Sequence, residues 1–224
     1  MFPKPFFTDR YDAGQRLGSA LSRTPMTQPV IVLGLPRGGV PVAARVAHAL
    51  NAPLDVFVVR KLGVPGHEEL GFGAVASGGA RVLNTDMIRR LGLSSTAIEG
   101  VVAQESAEVR RRELAFRDNR ELPNLRGANV ILVDDGAATG ASMRAAVVAV
   151  RQLGAREIIV ALPVASREAA SMLAASADRC LCLFEPEPFY GVGLWYQDFS
   201  QTSDEEVRAA LAEVQESAHT DSKS

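Results

Sequence analysis

The chain has 224 residues, which is enough for one α/β domain with a large core. Its 24 lysines and arginines nearly balance 26 aspartates and glutamates, and the net charge of −2 gives no basic surface of the kind that binds nucleic acid or an anionic membrane. The sequence shows no signal peptide and no apolar run of membrane-spanning length. A cytoplasmic protein is therefore expected, with neither nucleic acid nor a membrane as a partner.

The first residues predict an arm followed by a helix. Residues 1–8 are rich in proline and phenylalanine and are expected to pack as an extended arm. Asp9 is a typical N-cap for a helix that runs to about Ser22. Arg10 and Arg16 within that helix are expected to be solvated charges.

A buried strand over residues 30–35 leads into a turn rich in glycine. The turn carries Arg37, Gly38 and Gly39, and an apolar helix follows over residues 40–50. A cation followed by two glycines at such a turn can hold an anion, because the guanidinium donates and the glycine N–H groups can point inward. Taken alone, the motif is usually only a turn.

The next segment predicts a strand, a loop and a hairpin. Residues 54–59 are apolar enough for a second strand, and proline and glycine interrupt regular structure over residues 60–73, which predicts a mobile loop. Residues 74–83 then resume as a hairpin. Arg60 and Lys61, at the end of the predicted strand, either reach a bound anion or remain solvated. Two helices are predicted after the hairpin, over residues 86–91 and 95–118.

The most informative stretch is residues 130–142. Four apolar residues predict a buried strand of a parallel sheet, and Asp134 and Asp135 end it. The small residues that follow allow backbone N–H groups to approach a phosphate, and the next helix adds its positive N-terminal end. The two acids suit the vicinal hydroxyls of a sugar, or a Mg²⁺ ion reached through them. The inferred ligand is a ribose 5-phosphate, with its phosphate held by Gly136, Ala137, Ala138, Thr139, Gly140, Ala141 and Ser142.

The rest of the chain continues the alternation of strands and helices. Strands are predicted over residues 157–162 and 179–184, with a helix over 166–175 between them. The predicted fold class is α/β, with a doubly wound, mainly parallel sheet flanked by helices. Such sheets bind ligands at the carboxyl ends of their strands, which is where Arg37, Lys61 and Asp134 fall.

The C-terminal part holds three further features. Cys180 and Cys182 lie two apart in a predicted strand and are expected to be buried thiols on one face. Ser203 and Glu206 form a capping box for a last helix that runs to about residue 216. A single domain is expected over residues 1–216, followed by a disordered tail over 217–224.

The pattern of residues 130–142 resembles the motif with which type I phosphoribosyltransferases bind 5-phosphoribosyl 1-diphosphate (PRPP). It has the apolar strand, the two acids, and a small-residue loop with Thr-Gly and a closing Ser. The whole chain is similar to a bacterial group of that family whose acceptor is unassigned. The resemblance implies PRPP as co-substrate, Mg²⁺ bound indirectly through Asp134 and Asp135, a hood formed mainly by residues 185–200, a flexible lid loop and a homodimer.

The resemblance also implies roles for individual residues. Arg37 would act in catalysis within the pyrophosphate loop, where the family often has a non-proline cis peptide. Arg60 and Lys61 would add pyrophosphate contacts, and Lys61 would also be catalytic. The surrounding segment is similar to the catalytic loop of adenine phosphoribosyltransferases, so Glu69 would exchange a proton with the base, with His67 and Glu68 as alternatives. The aromatic residues that would grip the base, unless they fill the core instead, are Phe189, Tyr190 and Trp195.

The implied reaction is transfer of the phosphoribosyl group from PRPP to a nucleobase or a related nitrogen acceptor, with release of pyrophosphate, as in nucleotide salvage. Hypoxanthine–guanine enzymes have an aspartate where this chain has Ala138, which weakens a 6-oxopurine acceptor although the hood pattern favours one. The alternative is a non-catalytic PRPP- or nucleotide-binding regulator with the same fold. The Arg37 loop, Lys61 and the lid carboxylate favour the enzyme, because a sensor needs only the phosphate cradle.

Overall fold

The computed structural model describes residues 4–118 and 120–221, with side chains as far as residue 216. Its helices are α1 (Arg10–Leu21), α2 (Gly39–Leu50), α3 (Thr85–Leu91), α4 (Ser95–Arg117), α5 (Ala141–Gln152), α6 (Arg167–Ser176) and α7 (Asp204–Asp221). Its strands are β1 (Val30–Gly34), β2 (Leu54–Val56), β3 (Val59–Val64), β4 (His67–Ala76), β5 (Arg81–Leu83), β6 (Asn129–Val133), β7 (Glu157–Val164) and β8 (Arg179–Phe184). None of the described helices is both long and apolar enough to cross a membrane.

The centre of the molecule is a five-stranded parallel sheet with the order β2-β1-β6-β7-β8. Strands β1 and β6 are buried along their whole length, which explains why their sequences are continuously apolar rather than alternating. Helices α1, α2 and α7 pack on one face of the sheet, and α5 and α6 cover the other. The predicted doubly wound, mainly parallel fold is confirmed.

The segment expected to form one strand and a mobile loop has a different structure. The strand predicted over residues 54–59 is two strands, since β2 ends at Val56 and β3 begins at Val59. The predicted loop over residues 60–73 is an antiparallel hairpin of β3 and β4, and β5 adds a third strand to it. The glycines misled the prediction, because here they allow close pairing. A Cβ on Gly73, for example, would lie 2.3 Å from the carbonyl oxygen of Val82.

The N-terminal arm and the aromatic segment near the C-terminus pack together. Phe7 forms a β-bridge with Tyr196, and the ring of Phe6 stacks on Trp195 with centroids 4.9 Å apart. Segment 185–200, which was predicted to form most of a hood, therefore packs together with residues 4–8. Long-range pairing of this kind leaves no local signal in the sequence.

The ends of the helices follow the predicted capping signals. The Asp12 N–H donates to Oδ1 of Asp9, as expected for an N-cap. Ser203 and Glu206 exchange the two hydrogen bonds of a capping box at the start of α7. The backbone of α7 continues to Asp221, whereas the helix was predicted to end near residue 216 and a disordered tail to begin at 217. No glycine or proline lies between residues 216 and 221 to stop the helix. Residues 222–224, the rest of the predicted tail, lie outside the described residues.

Candidate functional site

A loop of small residues joins β6 to α5 at the carboxyl end of the central sheet. Gly140 adopts φ +68° and is the N-cap of α5, so the helix begins directly behind the loop. The side chains of Thr139 and Ser142 are exposed. In this loop, the backbone N–H groups that donate to no protein acceptor are those of Gly136, Ala138, Thr139 and Gly140. Free amides at a helix N-terminus are suited to binding an anion, so the phosphate site that the sequence predicted stays a prediction with which this geometry is compatible.

The loop is held in place by the neighbouring strand and the hood. The Ala137 N–H donates to the carbonyl oxygen of Val164 at 3.0 Å, and the Ser166 hydroxyl donates to the carbonyl oxygen of Ala138 at 2.7 Å. A Cβ on Gly136 would lie 2.6 Å from Cγ1 of Val192 in the hood. Gly136 therefore permits the hood to approach the loop.

The two acids pack directly against the glycine turn that follows β1. A Cβ on Gly38 would lie 2.0 Å from Oδ2 of Asp135, and one on Gly39 would lie 2.8 Å from Cα of Asp134. The Pro36–Arg37 peptide is cis, as the resemblance implied. One expectation is wrong: the Gly39 N–H donates to the carbonyl oxygen of Leu35 at 3.0 Å, because Gly39 already begins α2. Gly39 thus serves close packing and does not point its N–H at a ligand.

Burial dominates the electrostatics of the acid pair. It raises the pKa of Asp134 well above the usual range of a carboxyl, and the adjacent charge of Asp135 raises it further. Burial also raises the pKa of Asp135, and the neighbouring guanidinium of Arg10 opposes that shift. Two close carboxylates in such a place favour partners that donate hydrogen bonds or bring positive charge, such as sugar hydroxyls or a cation.

Arg10, expected to be solvated, is instead paired with Asp135. Its Nε donates to Oδ2 at 2.8 Å, and the two side chains are 13% and 15% exposed. Sequence reasoning missed this residue because its partner lies 125 positions away. It also missed Tyr196, whose hydroxyl donates to the carbonyl oxygen of Asp135 at 2.5 Å, and Ser166, whose hydroxyl holds the phosphate loop.

The predicted pyrophosphate cations have separate surroundings. Arg37 is partly exposed, and its Nη1 lies 3.6 Å from Oδ1 of Asp204 at the start of α7. Arg60 forms an ion pair with Glu105 of α4 at 2.8 Å, so in this structure its charge is already matched. Arg37 thus has the longer of these two ion pairs, and it directly precedes Gly38, which packs on Asp135, whereas Arg60 pairs with a helix outside this group.

A cavity of about 790 Å³ separates the hairpin from α5. Lys61 lines it together with Thr139 and Ser142, so this lysine shares a space with the phosphate loop rather than with the Arg37 turn. Lys61 Nζ also donates to the carbonyl oxygen of Glu69 at 3.2 Å. Glu69 itself is exposed near the tip of the hairpin, as are His67 and Glu68.

The three aromatic residues predicted to grip a base differ in exposure. Tyr190 is 70% exposed and Phe189 is half-buried. Trp195 is only 4% exposed and packs in a cluster with Phe6 and Phe7, so it fills the core of the hood. Only the first two have ring surface available to a ligand in this structure.

The two cysteines predicted to be buried thiols lie apart from the candidate site residues described above. Cys180 and Cys182 both pack toward the face of the sheet that α5 and α6 cover, and each is partly buried. Burial raises the pKa of the Cys182 thiol to about 12 and also raises that of Cys180. Both are therefore poor nucleophiles at neutral pH.

Comparison with known proteins gives consistent matches. The family model described as the phosphoribosyl transferase domain matches residues 8–193. A protein of Mycobacterium tuberculosis, named provisionally as a phosphoribosyl transferase, is 46% identical over 205 residues in each of two strains. The aligned region is 92% of this chain and 46% of that protein, so the chain spans about half the length of the curated relatives it matches. The crystal structure of TT1426 from Thermus thermophilus is 44% identical with a TM-score of 0.83, covering 92% of this chain and 98% of that one.

Proposed function

The chain belongs to the phosphoribosyl transferase family, and we propose that it is an active enzyme that moves the phosphoribosyl group of PRPP to a nitrogen acceptor. The acceptor would be a nucleobase or a related amine, and the second product would be pyrophosphate, as in a salvage reaction. One observation carries the proposal. Asp134 and Asp135 lie between two elements that would bind anions, the loop of residues 136–140 with its free amides on one side and the Arg37 turn packed against the acids on the other.

That arrangement matches the order of groups along PRPP. The amides of Ala138, Thr139 and Gly140 would bind the 5-phosphate, with the exposed hydroxyls of Thr139 and Ser142 as further donors. The acids would accept hydrogen bonds from the ribose hydroxyls. Gly38 packs on Asp135, so a pyrophosphate at C1 of that ribose would come close to Arg37.

The chemistry would follow from charge placed around the ribose. Breaking the bond between C1 and pyrophosphate develops positive charge on the sugar and negative charge on the leaving group. The buried carboxylates would stabilise the first, and the guanidinium of Arg37 would stabilise the second. Lys61 lies on the hairpin that faces the phosphate loop across the cavity, and it would add positive charge on the phosphate side.

Two features of the proposal involve the hairpin and the metal. Glu69 is exposed here, so its proposed proton exchange with the acceptor requires the hairpin tip to move toward the ribose.

Asp134 and Asp135 supply oxygen ligands of the type that Mg²⁺ prefers. Within the described residues, no group of three or more acids, histidines and cysteines could hold a metal. Such a pair fits an ion bound mostly by substrate and water. When bound, Mg²⁺ would neutralise charge on the pyrophosphate.

The hood supports a ring-shaped acceptor without identifying it. Tyr190 and Phe189 offer ring surface for stacking, and Val192 packs onto the phosphate loop beside the acids. Ala138 offers no side chain that could hydrogen-bond to a purine ring nitrogen. We therefore favour acceptors whose recognition relies on stacking and on backbone groups of the hood.

The test is pyrophosphate release from PRPP and Mg²⁺ across a panel of purines, pyrimidines and related amines. The expected result is release that depends on one class of acceptor and is lost in the Asp134→Asn/Asp135→Asn variant. Asp118→Asn is the matched control, since Asp118 is an exposed acid in a left-handed C-cap that asparagine tolerates. If PRPP stabilises the protein thermally but no acceptor releases pyrophosphate, the regulator with the same fold replaces the enzyme. If PRPP does not stabilise it, the assigned phosphate and ribose sites are wrong.

A further inference from the structure

Arg10 of α1 lies beside Asp135, one of the two acids proposed to bind the ribose, but it has no role in the chemistry proposed above. Its guanidinium makes three contacts at once. Nε donates to Oδ2 of Asp135 at 2.8 Å, Nη1 donates to the carbonyl oxygen of Ser200 at 2.7 Å, and Cζ lies 4.0 Å from the centroid of the Phe199 ring. A planar guanidinium reaches two acceptors through separate nitrogens while its face packs on a ring, a fixed geometry that the single nitrogen of a lysine does not reproduce.

These contacts join Asp135 to the hood. Phe199 and Ser200 are the last residues of segment 185–200, and Phe199 packs on Tyr196 with centroids 5.0 Å apart. Tyr196 in turn donates its hydroxyl to the carbonyl oxygen of Asp135. Burial raises the pKa of Tyr196 well above its usual value, so the hydroxyl keeps its proton and remains a donor. The side chain and the backbone of Asp135 are thus both held from the hood side.

Gly38 packs against the same carboxylate oxygen that Arg10 binds. A Cβ at that position would lie 2.0 Å from Oδ2 of Asp135 and 3.1 Å from Nε of Arg10. Oδ2 is therefore occupied by Arg10 and packed on the turn. Arg10 and the turn together fix the orientation of this carboxylate.

We propose that Arg10 is a positioning residue that fixes the Asp135 carboxylate for a ribose hydroxyl and links that acid to residues 185–200. The inference rests on the proposed function. It assigns Arg10 to recognition of the sugar and not to the phosphate, because the amides of the phosphate loop do not depend on this ion pair. A charge-assisted hydrogen bond of this kind commonly contributes a factor of about ten or more to an equilibrium.

The test compares ribose 5-phosphate with inorganic phosphate as calorimetric probes. Arg10→Gln is expected to weaken ribose 5-phosphate binding by about tenfold and phosphate binding by less than about twofold. Arg10→Lys should fall between that variant and the wild type, because it restores charge without the planar geometry. Arg16→Gln is the matched control on the same helix. Arg16 also pairs with an aspartate, Asp12 at 2.9 Å, but is 49% exposed, and its loss should change neither probe.

A double-mutant cycle separates positioning from general damage. In an Asp135→Asn background, Arg10→Gln is expected to have little further effect on ribose 5-phosphate, because the two residues act through one contact. Unchanged ribose 5-phosphate affinity in folded Arg10→Gln protein overturns the inference, and so does an equal loss for both probes. If Arg10→Gln does not fold, wild-type affinity for both probes in Arg10→Lys overturns it. If the wild-type protein binds neither ribose 5-phosphate nor PRPP, that result refutes the proposed function instead.

Discussion

Replacing Gly38 with alanine tests how tightly the glycine turn packs on the acids. Gly38 has φ −59° and ψ −31°, a conformation that alanine adopts freely, so without a steric conflict the change should stabilise the fold by about 0.5–1 kcal/mol. The added Cβ would lie 2.0 Å from Oδ2 of Asp135. A carbon–oxygen contact needs about 3 Å, so the carboxylate or the turn must move by about 1 Å. The 2.8 Å bond from Arg10 is not expected to keep its geometry through such a shift.

Two effects of the Gly38→Ala substitution are expected. Overpacking should lower the free energy of unfolding by about 1–3 kcal/mol, and displacement of the acid should weaken binding of PRPP with Mg²⁺ by about tenfold. Urea unfolding measures the first and calorimetry the second. Gly100→Ala is the control, because Gly100 lies within α4 with nothing near its Cβ position. It should gain about 0.5–1 kcal/mol in stability with no change in binding. A Gly38→Ala protein that is more stable than the wild type and binds PRPP normally would refute the packing argument.

Three further substitutions test charges in the structure. Asp134→Asn should increase stability at pH 7, because burial raises the pKa of Asp134 and makes its ionised form costly in the folded state. This gain in stability should shrink as the pH falls and disappear below about pH 4, because there the carboxyl is protonated in the unfolded chain as well. Urea unfolding at pH 7 and at pH 3.5 measures the difference. Arg117→Ala should cost about 3–5 kcal/mol in the same assay, since it leaves the carboxylate of Asp55 buried without the guanidinium 2.8 Å away; a cost below about 1 kcal/mol would contradict this. Asp204→Ala should tighten binding of inorganic pyrophosphate about twofold to threefold by calorimetry, because it removes the carboxylate nearest Arg37, and weaker binding would argue against Arg37 as a ligand.

Local patterns explain what the sequence could predict. Residues 130–142 carry a strand, two acids and a loop of small residues that leads into a helix, and every one of those features depends on neighbours in the chain. The parallel sheet was equally accessible, since continuously apolar strands alternating with helices admit few other folds. Capping at Asp9 and Ser203 also depends only on residues within one turn of the helix.

The remaining features depend on contacts that the sequence does not display. Glycine breaks a strand or allows close pairing, and only the position of Val82 opposite Gly73 decides between the two. The N–H of Gly39 could serve a ligand or begin a helix, and the choice depends on where α2 starts. The residues next to Arg10 in the sequence predict a solvated arginine, because its partner Asp135 comes close only in the folded structure. Each of these outcomes is set by tertiary packing that overrides a local preference.

The contact between Arg10 and Ser200 has a consequence for how the protein reaches its native state. The two residues are 190 positions apart, so a very long loop must close before they can meet. Closing so long a loop costs entropy that only late, long-range contacts repay, and parallel sheets fold slowly for the same reason. Refolding should therefore restore helical circular dichroism before it restores affinity for ribose 5-phosphate. In a cell, a chain still being synthesised could build much of the sheet while the surroundings of Asp135 remain incomplete, because residues 195–200 must emerge and fold first.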